Sequence, residues 1–215
     1  MGGVRDASDE PTGSAPLLSA DYLIRAWRSV PPTLRGHNVW LREVEASDAP
    51  TLLALLSRDE IARVIAPPPR SVGELASRIE AARLDRAEGR GICFACVPDK
   101  VASPVGLFRL RELEPGFGTA EWEFVLAPEQ WGRGMFFAAA PLVIDFAFDV
   151  LQVHRLEARA AVHNARGVGA LRKIGAVQEG VLRQSLPQHE GWVDQALWTI
   201  LADDWRARTG RRGVH

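Results

Sequence analysis

Cysteine is scarce in this chain of 215 residues, which has only Cys93 and Cys96. A disulfide-stapled secreted framework is thereby excluded, and a reducing cytoplasm is the expected setting. An excess of charge of either sign is also missing. Lysine and arginine number 26 against 27 aspartates and glutamates, a formal net charge of -1. A dedicated nucleic-acid binder normally carries a basic surplus, so no nucleic-acid partner is expected. The longest apolar stretch, Met135 to Val150, is broken by Asp145 and Asp149 and is too short and too charged to span a bilayer. The start, Met1-Gly-Gly-Val-Arg-Asp6, lacks the basic-then-apolar pattern of a signal peptide, so no membrane partner is expected either. Tyrosine occurs once, at Tyr22. What the chain does have is apolar material, 47% of its residues, enough for the core of one ordinary domain without disulfides or a structural metal.

Composition divides the chain into unequal parts. Residues 1–20 are rich in Gly, Ala, Ser, Pro and Asp and read as a disordered leader. Residues 21–37 hold Tyr22, Leu23, Ile24 and Trp27 before Pro31-Pro32 and read as an appendage, either a short helix laid on the domain or a mobile arm. The domain proper is expected over 38–205, with 206–215 as a basic tail.

Periodicity predicts strands over Val39–Val44, Ile92–Val97, Val105–Arg111, Thr119–Leu126, Arg155–Ala161, Ala176–Arg183 and Trp192–Leu201. Helices are predicted after Ser47-Asp48, from the capping box of Ser71 and Glu74 to Gly89, from Gly134 to Val150 with a kink at Pro141, and over Ala165–Ile174. The order is that of an α/β (α+β) domain with a mixed, mostly antiparallel sheet of about seven strands and helices on both faces.

Chemistry concentrates in two stretches. In Ala127-Pro-Glu-Gln-Trp-Gly-Arg-Gly-Met135 a strand ends, two glycines follow in a short loop, and an apolar helix begins. Glycine lets backbone approach a ligand closely, and a helix start offers free N–H groups and a positive dipole end, which together suit a pyrophosphate. The same residues would also serve a plain strand-to-helix turn. The loop is neither a P-loop nor a dinucleotide fingerprint, since no Gly-Lys-Ser/Thr follows and the third glycine is missing. The second stretch, His163-Asn-Ala-Arg-Gly-Val-Gly-Ala-Leu-Arg-Lys-Ile-Gly-Ala176, places Asn164 at a helix N-cap and Gly175 at its C-cap.

Taken together, Glu-x-Trp-Gly-Arg-Gly before an apolar helix and Asn-x-x-Gly-x-x-x-Leu-Arg-Lys-Ile-Gly after the next strand resemble the GCN5-related N-acetyltransferase (GNAT) family. Within it the chain is similar to the branch that acetylates ribosomal-protein N-termini. The resemblance spans Asn38 to Trp205 and is strongest from Glu121 to Gly175. It implies a sheet splayed between its fourth and fifth strands, with acetyl-CoA as cosubstrate and no metal. It also implies that Gly132, Arg133, Gly134 and Met135 hold the pyrophosphate. Pantetheine would lie along a bulged strand at Phe124, Val125 and Leu126, near Asn164, with an N–H near Leu126 polarising the thioester carbonyl. Three positions depart from the family pattern: Gly167 replaces a serine, Ala176 an aromatic, and Leu171 the tyrosine that returns a proton to the leaving thiolate. The general acid is therefore unassigned, with water or His163 as substitutes.

An amine attacks only when unprotonated, so a base is useful. Glu121, Glu123 and Val125 share one strand face by the two-residue period. Glu123 is the expected base and Glu121 the second choice, although both carboxylates would equally serve to border the groove, to pair with arginines or to attract a cationic acceptor. Asp194 and Trp192 are expected near the acceptor, Trp192 together with Ala66 to Pro69. Trp131 is expected to pack beneath the loop, and Trp122, Trp198 and Trp205 in the core or on the sheet. Cys93 and Cys96 point to opposite faces and offer no nucleophile, so direct transfer in a ternary complex is preferred. The expected acceptor is a protein or peptide N-terminal amine. The alternatives are a small amine such as a polyamine, an amino acid or an aminoglycoside, or a non-catalytic acyl-CoA-binding module. The oligomeric state is left as monomer or homodimer.

Overall fold

The computed structural model describes residues 26–188 and 191–210. The leader, Tyr22 and the end of the basic tail lie outside the described residues. Eight strands form one sheet: β1 (Leu34–Gly36), β2 (Val39–Glu43), β3 (Gly91–Pro98), β4 (Gly106–Glu112), β5 (Thr119–Leu126), β6 (Arg155–Ala161), β7 (Val177–Gln188) and β8 (Gly191–Leu201). Their order is β1-β2-β3-β4-β5-β6-β8-β7, with only β5 and β6 parallel. Besides the helical turn at 26–29, the α-helices among the described residues are α1 (Ala49–Leu56), α2 (Asp59–Ala62), α3 (Val72–Glu88), α4 (Met135–Asp145), α5 (Ala165–Ile174) and α6 (Ala202–Thr209). No helix among the described residues is long and apolar enough to cross a membrane.

Local chemistry explains the element ends. The Ser71 hydroxyl accepts the Glu74 N–H at 3.1 Å, while the Glu74 carboxylate reaches back to the Arg70 N–H at 2.8 Å, one residue beyond the reciprocal box expected. Gly89 ends α3 in the left-handed region at φ 79. Helix α4 runs through Pro141 and gives way at Phe146–Val150 to a single π-helical turn. The departure from α geometry thus falls five residues beyond the proline, whose missing N–H leaves the Phe137 carbonyl without its helical donor.

Two apolar layers sandwich the sheet. Leu41, Phe94, Phe108, Trp122 and Leu156 face α4 and α5, and Val44, Ala95 and Val97 face α1 and α3. Cys96 lies in the first layer and Cys93 against the second, on opposite faces as their spacing required. Burial pushes both thiols up to about 12, which removes them as nucleophiles at neutral pH. Trp122, Trp198 and Trp205 are all core residues.

Residues 26–29 are helical, and Trp27 is the one buried residue of 26–36. Trp27 is buried and packs edge-on to Phe117 and Phe146, and β1 pairs with β2 across a turn in which Asn38 takes φ 61. Strand β1 raises the count from the seven expected to eight. The buried Arg86 on α3 ties this segment down. Its guanidinium donates to the Glu43 carboxylate at 2.5 Å and to the carbonyls of Trp27 and Arg28. Removing one partner of such a pair strands the other charge. Arg86→Ala is therefore expected to destabilise the fold by about 3 kcal/mol, read as a lowered midpoint in urea unfolding.

Candidate active site

The site begins where two strands stop pairing. Strand β5 is in step with β4 from Gly106↔Leu126 to Glu112↔Ala120, and β6 with β8 from Arg155↔Leu201 to Ala161↔Gln195. Between β5 and β6 only Thr119↔Arg155, Ala120↔Leu156 and Glu121↔Glu157 are paired. Beyond Glu121 the two strands diverge, each following its outer neighbour. The β4–β5 ladder carries no bulge, contrary to what the family resemblance implied. Divergence of β6 opens the cleft instead, and the register shifts lie in β7, at Gln178/Gly180 and Leu182/Leu186.

The pleat decides what faces the opening. Leu113 N–H donates to the Thr119 carbonyl and Ala127 N–H to the Val105 carbonyl, so odd-numbered residues of β5 bond to β4. The peptide groups of Phe124 and Leu126 therefore turn into the cleft, with no strand opposite them. The Leu126 carbonyl is already taken, accepting the Trp131 indole N–H at 2.9 Å. Its N–H remains directed into the cleft. The Phe124 side chain packs on the α4 side and that of Val125 on the α1–α3 side.

Beyond Leu126 the chain folds into the loop that leads to α4. Gly132 and Gly134 take φ 72 and 82, and a Cβ built on either meets no atom within 4 Å. Gly134 caps α4, whose first-turn amides, starting with Met135, have no intrahelical acceptor. Arg133 is exposed beside them. A stack of Phe108, Trp122, Phe124 and Phe136 aims these amides at the cleft, the Phe124 and Phe136 centroids lying 4.7 Å apart. Since Phe136 is the second residue of α4, these contacts fix the helix start to β5. Trp131 packs beneath the loop as expected, with the Arg166 guanidinium 4.7 Å from its ring, so the cleft's open end is bridged from α5. Arg58 pairs with Glu129 at 2.5 Å, tying the loop to the segment between α1 and α2.

On the α1–α3 face, Glu121 and Glu123 meet different surroundings. Glu121 is buried and pairs with Arg111 and, at 3.3 Å, with Arg159. Glu123 lies opposite Arg109 in the β4–β5 register and makes no hydrogen bond or ion pair among the described residues. Although the residue is open to solvent, its carboxyl stands deep enough among protein atoms that desolvation raises its pKa above the ordinary range. The Glu121 charge adds to this, while Arg109, Arg111 and Arg159 oppose it. Of the two candidate carboxylates, Glu123 is the one without an ion pair or hydrogen bond among the described residues.

The other expected site residues have visible structural duties. The Asn164 side chain accepts the Gly167 N–H at 2.9 Å as the N-cap of α5, and a Cβ on Gly167 would come within 2.5 Å of its amide nitrogen. The Asp194 carboxylate accepts the Gln184 N–H at 2.7 Å, inside the shifted part of β7 where Gln184 takes φ 48. Leu171 faces the core, so that position supplies no proton donor. The Arg63 carbonyl meets His163 Nε2 at 2.9 Å and accepts from Gln188 Nε2 at 2.6 Å, joining the chain beyond α2 to both the β6–α5 turn and the end of β7. Sequence reasoning missed Arg63 and Gln188, because no local pattern marks a contact made through a main-chain carbonyl. Trp192, 62% exposed, stands on the next rung, opposite Pro187.

A parted parallel pair, a glycine loop with free amides and one unpaired carboxylate are the parts of an acyl-transfer site. The family model described as an acetyltransferase (GNAT) domain matches residues 38–177, and the chain belongs to that family. It is an acyltransferase of the N-acetyltransferase kind. It is similar to the "Probable N-acetyltransferase YjcK" of Bacillus subtilis, 28% identical over 80% of this chain and 98% of that protein. A spermidine N(1)-acetyltransferase of Vibrio cholerae is 31% identical over 46% of this chain and 54% of that one. Among solved structures, the ribosomal-protein-S5-alanine acetyltransferase of Vibrio fischeri shares the fold, with a TM-score of 0.73 and 20% identity over 81% of this chain and 98% of that one.

Alanine is strained at positive φ by about 1–2 kcal/mol, so Gly134→Ala forces the loop either to bear that strain or to move. Calorimetry is expected to show coenzyme A binding weakened about tenfold, in line with that cost. Gly169→Ala, within α5 and equally unobstructed, is expected to leave binding unchanged.

Proposed function

We propose that this enzyme acetylates the N-terminal amine of a protein or peptide from acetyl-CoA, by direct attack in a ternary complex. The observation that carries the reading is that Glu123 is unpaired while Glu121 is tied to Arg111 and Arg159. A polyamine brings several positive charges and calls for several free carboxylates; a single α-amine needs one. A second reading, a small-amine acceptor, draws its support from the likeness to the spermidine enzyme over about half of each chain. The scarcity of cysteine supports a cytoplasmic setting.

In this reading the cosubstrate supplies an activated acyl carbon. The amides of Gly132, Gly134 and Met135 receive its diphosphate, with the Arg133 guanidinium beside them because the Arg133 N–H is spent on the Gln130 carbonyl at 3.3 Å. The free inner edge of β5 at Phe124 and Leu126 takes its extended arm as an added strand. The Leu126 N–H is aimed to donate to the acyl oxygen as negative charge develops there. Glu123 takes the proton from the attacking amine as the C–N bond forms; the C–S bond then breaks, and the coenzyme A thiolate leaves with a proton from water. Because a peptide α-amine has a pKa near ~8, a carboxylate of raised pKa suffices as base, directly or through one water. Glu121 acts as a positioning residue, its charge holding the proton affinity of Glu123 up. Asn164 orients the start of α5 beside the arm, and Trp192 and Asp194 shape the acceptor side from β8.

Glu123→Gln is expected to lower kcat/KM about 100-fold, measured as thiol release with an N-terminal peptide, and to leave coenzyme A affinity unchanged. Activity of the native enzyme should climb with pH through the raised Glu123 pKa, and the variant should lose that limb. The linkage runs the same way. A carboxyl that holds its proton more tightly folded than unfolded costs stability as pH rises from the unfolded value through the folded one. The variant should therefore melt higher than the native protein at neutral pH. Unchanged turnover with an unaltered pH profile would remove Glu123 from this role.

A further inference from the structure

Around Glu123 the arginines are unequally occupied. Arg111 pairs with Glu121, and Arg159 shares the same carboxylate at 3.3 Å. Asp85, on α3, is held by Arg90 through two hydrogen bonds of 3.1 and 2.7 Å. That leaves Arg109, whose single ion pair among the described residues is a distant one, 3.9 Å from Asp85, and whose side chain is 41% exposed. It lies directly across from Glu123 in the β4–β5 register, on the same sheet face. On its other side it borders an open depression of about 280 Å³ at the β4–β5 turn, lined also by Asp85, Arg90, Arg111, Glu112 and Glu114. Side chains on directly opposed residues stand about 5 Å apart at Cβ, and a guanidinium reaches several ångströms further. A carboxylate without an ion pair among the described residues and a guanidinium with one long pair therefore sit side by side on this sheet face.

We infer that Arg109 is a specificity residue that binds a carboxylate carried close to the acceptor amine, so that the acceptor is read as an amine and an acid together. The inference rests on the reading of Glu123 as the group that receives the amine. With the amine at Glu123, Arg109 is within reach of a carboxylate one residue along. That carboxylate is either the side chain of an acidic residue near a peptide's N-terminus or the α-carboxylate of a free amino acid. A guanidinium favours carboxylates by charge-assisted, bidentate hydrogen bonding, and it repels a second cation in the same place. A polyamine is thereby disfavoured by the same side chain.

The test compares kcat/KM by thiol release for C-terminally amidated alanyl peptides with Glu, Gln or Lys in second position, for free alanine against alanine amide, and for spermidine. Native enzyme is expected to prefer Glu over Gln by about fivefold or more, and Gln over Lys, as one charge-assisted contact predicts. In Arg109→Gln the ratio of Glu to Gln should fall towards one, while Arg109→Lys should retain part of it. Equal rates on the three peptides, or a preference for Lys, overturn the inference and leave the peptide reading standing. Preference for free alanine over its amide, lost in Arg109→Gln, supports the inference and overturns the peptide reading. Spermidine as the best acceptor, or no turnover of any acceptor, overturns both.

Discussion

The organisation of this enzyme depends on three residue pairs and the absence of a fourth. Strands β5 and β6 are joined at Thr119, Ala120 and Glu121 and then part, although each remains fully paired to its outer neighbour. Each strand spends one edge on its outer neighbour, and beyond Glu121 the facing edges keep their peptide groups unpaired with one another. Twist accumulates along both and widens the gap. The outcome is a free strand edge inside the protein, where backbone donors and acceptors lack the partners that buried peptide groups need. Such an edge is costly when left empty and selective when filled by an extended, amide-bearing arm. The glycine loop extends this logic. It places free amides at the end of the same edge, and the Phe108–Trp122–Phe124–Phe136 stack holds their direction.

Electrostatics then separates two carboxylates that the pleat makes equivalent. Glu121 and Glu123 are two residues apart on one face. One is neutralised by two arginines, whereas the other is unpaired and reluctant to ionise. A static pair fixes charge in place, while an unpaired group of raised pKa can give and take a proton near its working pH. Arg109 faces Glu123 across the register and keeps a single long ion pair, 3.9 Å from Asp85, among the described residues.

Much of this was legible in the sequence because the boundaries are chemical. The limits Thr119–Leu126, Arg155–Ala161 and Ala165–Ile174 are observed as read, since Pro128, Asn164 and Gly175 mark their surroundings. Strand β1 was not legible, being three residues long and lacking β-branched residues. Helix α6 was hidden because Ala202–Thr209 is mostly polar and buries only Ala202 and Trp205. The difference between Glu121 and Glu123 was out of reach for another reason. It is set by which arginines lie across from them on β4 and β6, a matter of register between segments far apart in the chain. Asp194 and Asn164 show the opposite case, where local duties, bracing an irregular strand and capping a helix, account for residue types that also suit a site.

The claim that the inner edge of β5 and the loop after it form one docking line is tested most directly by residue-resolved amide hydrogen exchange, with and without coenzyme A. Slowed exchange confined to Phe124, Leu126 and the amides from Gly132 to Phe136 is the predicted result. Unchanged exchange at these amides, with protection appearing in another part of the chain, would contradict the account.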